Sequence, residues 1–282
     1  MGNYSNAIKQ GEELGKLAKV LFDKSTSSFY SSMIVEAIAG SLGIVIGLME
    51  INDKARIIFA VLGFSLLLIA YYLRSKFEAT YENAETMRRQ SVLAIGLGWE
   101  ISKTQFSEWR MFAGKSALHK TEQNPLESNY YASSEVVGAK RLLEMTQESA
   151  FWTRHLYCYL KNYLWASFIL SLILFVFVLT FSASGYIHQG LAMKIVYVTY
   201  LILPLILSLD ILNWTLKLDR SIKSIRSIER GLESIEKESN FDEQQILRLV
   251  FEYNCQLTQG FPIPVMFFNI YHDDIQSLWD KR

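Results

Sequence analysis

The chain has 282 residues, a formal net charge of zero and a mean hydropathy of +0.14, and half of its residues are hydrophobic. This balance of charge argues against a nucleic-acid coat protein and against a long disordered tail. The hydrophobic residues are concentrated in blocks, and the segments between the blocks are polar.

The longest apolar block, at 163–179, reads YLWASFILSLILFVFVL, and no charged side chain occurs from Asn162 to Gly185. A helix of about twenty apolar residues crosses a membrane, because each residue rises about 1.5 Å and the hydrocarbon core is about 30 Å thick. A buried strand of a soluble protein ends after roughly four to eight residues. The block therefore predicts a transmembrane helix.

Three further apolar blocks, at 31–49, 55–73 and roughly 192–216, predict three more spans. The first contains Gly43 and Gly47, a spacing that permits close approach of two helices. The last contains Pro204, which we expect to kink its helix. Since the connectors are short, the four spans predict two hairpins, at 31–73 and 163–216.

The polar segments 1–30, 74–162 and 217–282 predict further helices. In the first, apolar residues share one face and predict a short helix over 1–28 that packs on the body of the protein or, as the second interpretation, binds the membrane surface: Ile8, Leu14, Leu17, Ala18 and Leu21. The central segment is mainly helical, with a break near Pro125, and 133–159 runs helically toward the third span.

The segment 217–282 contains apolar residues at spacings of three, four and three: Ile225, Ile228, Leu232 and Ile235. This pattern fits packing within the chain or against another subunit equally well. An amphipathic helix follows at 241–257, and the aromatic tail from 265 onward is expected to dock on the body.

The distribution of Lys and Arg predicts the topology. Of the 28 such residues, 25 lie in the three polar segments and only Lys54, Arg56 and Lys194 lie near the two short connectors. The positive-inside rule places both termini and the central segment in the cytoplasm. The predicted fold is an all-α membrane protein with four transmembrane helices as two hairpins and a helical cytosolic domain built from three segments.

The sequence offers no catalytic constellation. Residues 113–116 read AGKS like the end of a P-loop, but Trp109 stands where the earlier glycine is required. The four histidines lack partners at metal-ligand spacing, and His272-Asp273-Asp274 is more simply a solvated tail. We therefore expect no enzyme activity, no metal site and no cofactor.

Two kinds of basic residue are candidates for ligand binding. On one helix, aromatic and cationic side chains would alternate within an arc of about sixty degrees, a surface that can stack bases and neutralise phosphates: Trp99, Lys103, Phe106 and Arg110. The same residues also suit an aromatic edge packed in the fold and covered by the stems of the cations. Two adjacent basic pairs are further candidates, or else solvated faces and headgroup contacts: Arg88-Arg89 and Lys140-Arg141.

Polar residues in the apolar blocks are candidates for lining a pore. The fourth block contains five of them: Tyr197, Thr199, Ser208, Asp210 and Asn213. Asp210 and Asn213 share a helix face, which in a ring of subunits would line a water-filled path that favours cations, or would form hydrogen bonds between helices. Glu36 in the first block either faces such a path or extends to the interface.

Short motifs of this chain resemble those of the SMODS-associated four-transmembrane effectors. They are AExxRR at 84–89, YYAS at 130–133, GAKRLLE at 138–144 and ESAFWT at 148–153. The arrangement of two plus two spans and the chain length also match that family.

The resemblance implies an antiphage effector in the bacterial inner membrane. Such an effector forms a homo-oligomer, for example a tetramer, and opens a pore in the lipid bilayer that collapses the membrane potential. Its control is expected from a nucleotide or oligonucleotide messenger made by a partner nucleotidyltransferase. The alternative left open by the sequence is a non-conducting oligomeric membrane scaffold or receptor.

Overall fold

The computed structural model describes residues 2–48, 52–123, 131–183, 190, 211–237, 242–258 and 261–282. All regular secondary structure in these ranges is helical, so the all-α prediction is confirmed for this part of the chain. The described helices are α1 (Gly2–Leu48), α2 (Asp53–Leu97), α3 (Lys103–Gln123), α4 (Ala139–Ala183), α5 (Ile211–Glu236), α6 (Glu243–Thr258) and α7 (Val265–Trp279).

Three of these helices are unusually long. Helices α1, α2 and α4 contain 47, 45 and 45 residues, which makes each about 70 Å long at 1.5 Å per residue. The expected short helix over 1–28 is therefore wrong, because α1 continues into the first apolar block. Between Phe22 and Ala39 the sequence has no glycine or proline that would end the helix.

The chain divides into two compact units. Unit 1 contains Met1–Thr26, Glu78–Tyr159 and Leu218–Arg282, and unit 2 contains Ser27–Phe77 and Leu160–Lys217. Unit 1 collects most of the polar segments and unit 2 most of the apolar blocks. Helices α1, α2, α4 and α5 each contribute residues to both units.

A shared apolar core joins α1, α2 and α3 in unit 1. The predicted face of α1 is buried there, since Leu14, Leu17, Ala18 and Leu21 are each at most 1% exposed. They pack with residues of α2 and α3: Ala84, Met87, Ala94, Trp109, Ala113 and Ala117. The 3.6-residue period of α1 therefore marks a face that packs within the chain, as expected.

Helix α5 buries its heptad-like positions within the chain. Ile225, Ile228, Leu232 and Ile235 are all at most 5% exposed. Helix α6 lies close beside α5, because a Cβ atom at Gly231 would stand 3.0 Å from Cδ1 of Leu249. Of the two interpretations of this spacing, the fold supports packing within the chain.

Helix α7 docks through its aromatic side chains, as the sequence predicts. The rings of Tyr159 and Tyr271 stack with their centroids 3.9 Å apart, and those of Phe151 and Trp279 lie 5.2 Å apart. Ile275 is fully buried in the same cluster. Ring contacts of this kind add about 0.5–1.5 kcal/mol each beyond the area that they bury.

Phe29 is the fully buried centre of unit 2. Its ring centroid lies 5.0 Å from that of Phe77 and 6.1 Å from that of Trp214. The guanidinium of Arg74 lies 4.8 Å from the centroid of the Phe29 ring. One aromatic residue therefore connects α1, α2 and α5.

Two described helices are long and apolar enough to cross a membrane: α2 and the Ala139–Phe177 part of α4. Only 6% of the most apolar stretch of each is buried. The first and fourth predicted spans include side chains at 44–50 and residues at 191–210 that lie outside the described residues. The Pro204 kink lies outside them too.

Close helix approach in the described chain occurs at glycines other than Gly43, and a contact of the Gly43 and Gly47 motif with another subunit stays a prediction. A Cβ atom at Gly43 would meet nothing within 4 Å, whereas one at Gly11 would stand 2.9 Å from Cγ1 of Ile95 and 3.0 Å from Cβ of Ala94. Gly11 and Gly15 have the same four-residue spacing and both face Ser91 of α2, whose hydroxyl donates to the Gly11 carbonyl at 2.7 Å.

We predict that Gly11→Leu lowers the free energy of unfolding by about 3 kcal/mol, because the added side chain must push α1 and α2 apart. The matched variant Gly43→Leu, also inside α1, should change it by less than about 1 kcal/mol, since that position is open. Thermal unfolding followed by tryptophan fluorescence measures both. Equal losses for the two variants would contradict the assigned contact.

Candidate functional site

Arg88 and Arg89 of α2 are directed into unit 1 around one buried carboxylate. Both Nε and Nη2 of Arg88 lie 3.1 Å from Oε2 of Glu85, and Nε of Arg89 lies 3.9 Å from the same oxygen. The Arg88 guanidinium also donates to Oδ1 of Asn254 at 2.7 Å. The Glu85 side chain is only 4% exposed, so the Arg88-Arg89 pair serves as an internal ion-pair cluster.

The surroundings of Arg88 favour its charged form. Burial lowers the pKa of Arg88, but Glu85, together with Tyr253 and Tyr131, raises the pKa above its usual range. The ring of Tyr253 lies 5.9 Å from the guanidinium. The Tyr253 hydroxyl in turn shares a hydrogen bond of 2.9 Å with Thr153. The network thereby connects α2, α4 and α6.

The predicted aromatic and cationic stripe does not lie on one helix. Helix α2 ends at Leu97, Gly98 takes φ +72°, and Trp99 lies in the connector before α3. The stripe is therefore wrong for Trp99, because a glycine in the left-handed region ends a helix.

The other three stripe residues lie on α3. Lys103 is its first residue, and Phe106 packs against the core of α1 to α3. Arg110 lies 5.9 Å from the Phe106 ring centroid and pairs with Glu13 at 3.3 Å. This is the packed edge covered by a cation stem that the sequence offered as the second interpretation.

Lys140 and Arg141 lie at the start of α4. Lys140 pairs with Glu135 and lies 4.0 Å from Glu144, and the Glu135 hydrogen bond raises the pKa of Lys140. Nε of Arg141 is buried and makes no hydrogen bond within the described part of the chain. Neither residue lines the cleft described below.

The motifs that carry the family resemblance contact one another. The Ser133 hydroxyl donates to Glu144 at 2.6 Å, and the Ala132 amide donates to Glu148 at 2.9 Å. Burial raises the pKa of Glu148, and the Ala132 hydrogen bond opposes it. These residues hold the segment at 131–138 against the first turns of α4. Their role in the described structure is packing.

The candidate pore residues are mostly beyond what the structure describes. Tyr197, Thr199, Ser208 and Asp210 lie outside the described residues, while Asn213 is exposed on α5 and Glu36 is half-buried on α1. The pore-lining assignment therefore stays a prediction.

A cleft in unit 1 that the sequence did not suggest gathers four arginines. It has a volume of about 460 Å³ between α4, α5 and the end of the α7 segment. Its lining residues are Phe151, Arg154, His155, Arg226, Glu229, Arg230, Glu233, Leu278 and Arg282. The four arginines face two glutamates, which leaves an excess of two positive charges.

Two of these arginines are neutralised inside the cleft. Arg154 pairs with Glu229, whose side chain is 6% exposed, and Arg282 pairs with Glu233. Arg282 also lies 3.9 Å from Glu229. These pairs join the end of the chain to α5 and α4.

The other two, Arg226 and Arg230, are exposed and form no ion pair or hydrogen bond with any described residue. They are four residues apart on α5, so they share one face with about 5–6 Å between their Cβ atoms. Two like charges at this spacing repel each other. The cleft therefore presents an unneutralised pair of guanidinium groups.

His155 lies beside this pair. A carbonyl only accepts, so Nδ1 donates to the Phe151 carbonyl at 2.8 Å and carries the proton of the neutral ring. Burial lowers the pKa of His155, and the charges of Arg154 and Arg226 lower it further. The hydrogen bond to the Phe151 carbonyl and the charge of Glu229 raise the pKa but do not offset this. The positive charge of the cleft near neutral pH thus comes from arginine.

No group of His, Cys, Asp and Glu in the described ranges is arranged to hold a metal ion. Cys158 and Cys255 are free thiols. Comparison of the chain with protein-family models, with curated proteins and with solved structures gives no match.

We predict that Arg88→Met lowers the free energy of unfolding by about 3–5 kcal/mol, because it leaves the buried Glu85 carboxylate without its main partner. Arg248→Met is the matched control, since Arg248 is exposed and, among the described residues, pairs with its neighbour Glu252 on α6. Its loss should stay below about 0.5 kcal/mol. Chemical denaturation in detergent measures both, and a loss below 1 kcal/mol for Arg88→Met would contradict the assigned role.

Proposed function

We propose that this chain is a multi-pass protein of the bacterial inner membrane that assembles with copies of itself into a pore. On this proposal a nucleotide or oligonucleotide messenger controls the pore, a partner nucleotidyltransferase supplies the messenger, and the open pore depolarises the cell during antiphage defence. Both termini and unit 1 lie in the cytoplasm.

The observation that carries the membrane part is the exposed apolar surface of α2 and α4. Eight large apolar side chains of α2 are about half exposed or more: Ile57, Ile58, Val61, Leu62, Phe64, Leu67, Leu68 and Ile69. Helix α4 adds another set: Ile169, Leu170, Leu172, Ile173, Val176 and Phe177. A water-soluble monomer rarely exposes an apolar patch above a few hundred Å². Covering each such side chain stabilises by about 1.5–3 kcal/mol, which lipid supplies without any partner protein.

The pore part is supported by the sequence pattern. Asp210 and Asn213 share a face, and Asn213 is exposed on α5. A single unit of four spans has little room for a wide aqueous path, so a pore requires several subunits with such faces turned toward a common axis.

Ligand control is supported by the long helices. Helices α1, α2, α4 and α5 contribute residues to both units, so a change in packing in unit 1 acts on helices that also build unit 2. A ligand shifts such an equilibrium only by binding one state more tightly than the other.

The second candidate is a non-conducting membrane scaffold or receptor. The exposed faces of α2 and α4 favour it as strongly as they favour a pore, because they require lipid but no conducting path. Conductance separates the two candidates.

We predict that the chain stays in the membrane fraction after alkaline carbonate extraction and that Phe64→Lys, at the middle of the span 55–73, reduces the inserted fraction. A lysine at the centre of a span costs about 2.5–3.5 kcal/mol on insertion. Val136→Lys is the control, because Val136 is 83% exposed but lies in a polar connector of unit 1. Full extraction of the unaltered chain by carbonate would refute the membrane assignment.

We predict that co-expression with the proposed partner nucleotidyltransferase changes the membrane potential reported by a voltage-sensitive dye. Asp210→Asn should then alter the cation selectivity or the current of the chain reconstituted in planar bilayers, because it removes an acid from the proposed path. A chain that inserts yet holds the potential in both conditions, also under phage infection, would support the scaffold instead.

A further inference from the structure

We infer that the cleft of Arg226 and Arg230 is a binding site for a phosphate-bearing ligand. This inference rests on the proposed function for the ligand's regulatory role, because it names the place in unit 1 where a controlling messenger would bind. The binding itself can be measured whether or not the chain conducts.

The first argument is that two of the four arginines are paired with glutamates and two are not. Arg154 and Arg282 are held by Glu229 and Glu233, which fixes the walls of the cleft. Arg226 and Arg230 stand on the same face of α5 without a carboxylate within the described chain. A fold gains nothing from two unpaired like charges at this spacing, whereas a phosphate group has oxygens enough to accept hydrogen bonds from both guanidinium groups.

The second argument is the shape and lining of the site. A volume of about 460 Å³ lies within the range of pockets that hold small ligands. Phe151 is buried against His155 and Trp279 and forms part of the fixed wall of the cleft. The cleft thereby combines a suitable volume with two unpaired guanidinium groups, which suits a phosphate-bearing ligand.

The third argument is the position of the cleft. Its walls come from α4 and α5, and both helices contribute residues to unit 2. A phosphate bound to Arg226 and Arg230 beside Arg154 links α5 to α4 through charge. Binding thus acts on the packing of the two helices that would have to move in a ligand-controlled pore.

The test uses the full chain in detergent, with inorganic phosphate, ATP and linear triadenylate as probes in isothermal titration calorimetry at low salt. The double variant Arg226→Gln/Arg230→Gln should weaken the tightest probe about a hundredfold, since each charged hydrogen-bond partner contributes about a factor of ten. Arg248→Gln, which removes an exposed arginine of α6 that pairs with Glu252 and does not line the cleft, should stay within twofold of the unaltered chain.

Thermal stability separates a binding role from a structural one. Without ligand, the double variant should melt at the same temperature or higher, because it removes a repulsion between like charges. With a probe present, the unaltered chain should melt at a higher temperature and the double variant should not. A double variant that melts lower without ligand, or that keeps full affinity for the probes, overturns the inference, as does an unaltered chain that binds none of them.

Vesicles identify the source of the phosphate. If a lipid headgroup is the ligand, vesicles of phosphatidylglycerol should compete with ATP while vesicles of phosphatidylcholine should not, and the double variant should lose this difference. If a soluble nucleotide is the ligand, neither vesicle should compete. If the chain binds phosphate through Arg226 and Arg230 but conducts no ions, the binding site is supported and the proposed pore function is refuted.

Discussion

The buried carboxylate of Glu85 is the interaction on which unit 1 depends most. The Glu85 side chain is 4% exposed and forms ion pairs with Arg88 and Arg89. Arg88 also donates a hydrogen bond to Asn254 of α6. A buried ion pair contributes little net stability compared with an apolar pair, but it strongly penalises any arrangement in which one partner is missing. The cluster therefore specifies how α2 and α6 are placed, while the apolar faces of α1, α5 and α7 supply most of the favourable free energy.

The long helices set the second constraint. One half of helix α2 contains the buried Glu85 and packs in unit 1. The other half is apolar, and its Leu67 and Leu68 are exposed. Neither half suits the surroundings of the other, because the apolar half leaves large apolar side chains exposed and the ionic half would be costly in lipid. A continuous helix with two such halves favours a protein placed across an interface. The proposed membrane location rests on this difference between the two halves of α2.

The buried helix faces could be predicted from the sequence, because the apolar residues of such a face recur with a period of about 3.6 residues. The period identified Leu14 and Leu17 on α1 and Ile225 and Leu232 on α5, and all four are buried. Helix ends were less accessible: the end of α2 depends on the positive φ of Gly98, which no periodicity records. The Gly43 spacing shows only that close approach is permitted: no neighbour lies within 4 Å of that position in the described chain, and a contact with another subunit stays a prediction.

The arginines show why ligand sites are harder to predict than helices. Arg88 and Arg89 are adjacent in sequence and suggested an exposed basic pair, although Glu85 three and four residues before them was a visible sign of an internal ion pair. Arg226 and Arg230 stood among the flanks of a heptad-like repeat, where charges ordinarily face solvent. What distinguishes them is that the nearest carboxylates are already engaged by Arg154 and Arg282. That competition for partners involves residues distant in the chain, so only the folded arrangement reveals which positive charges remain for a ligand.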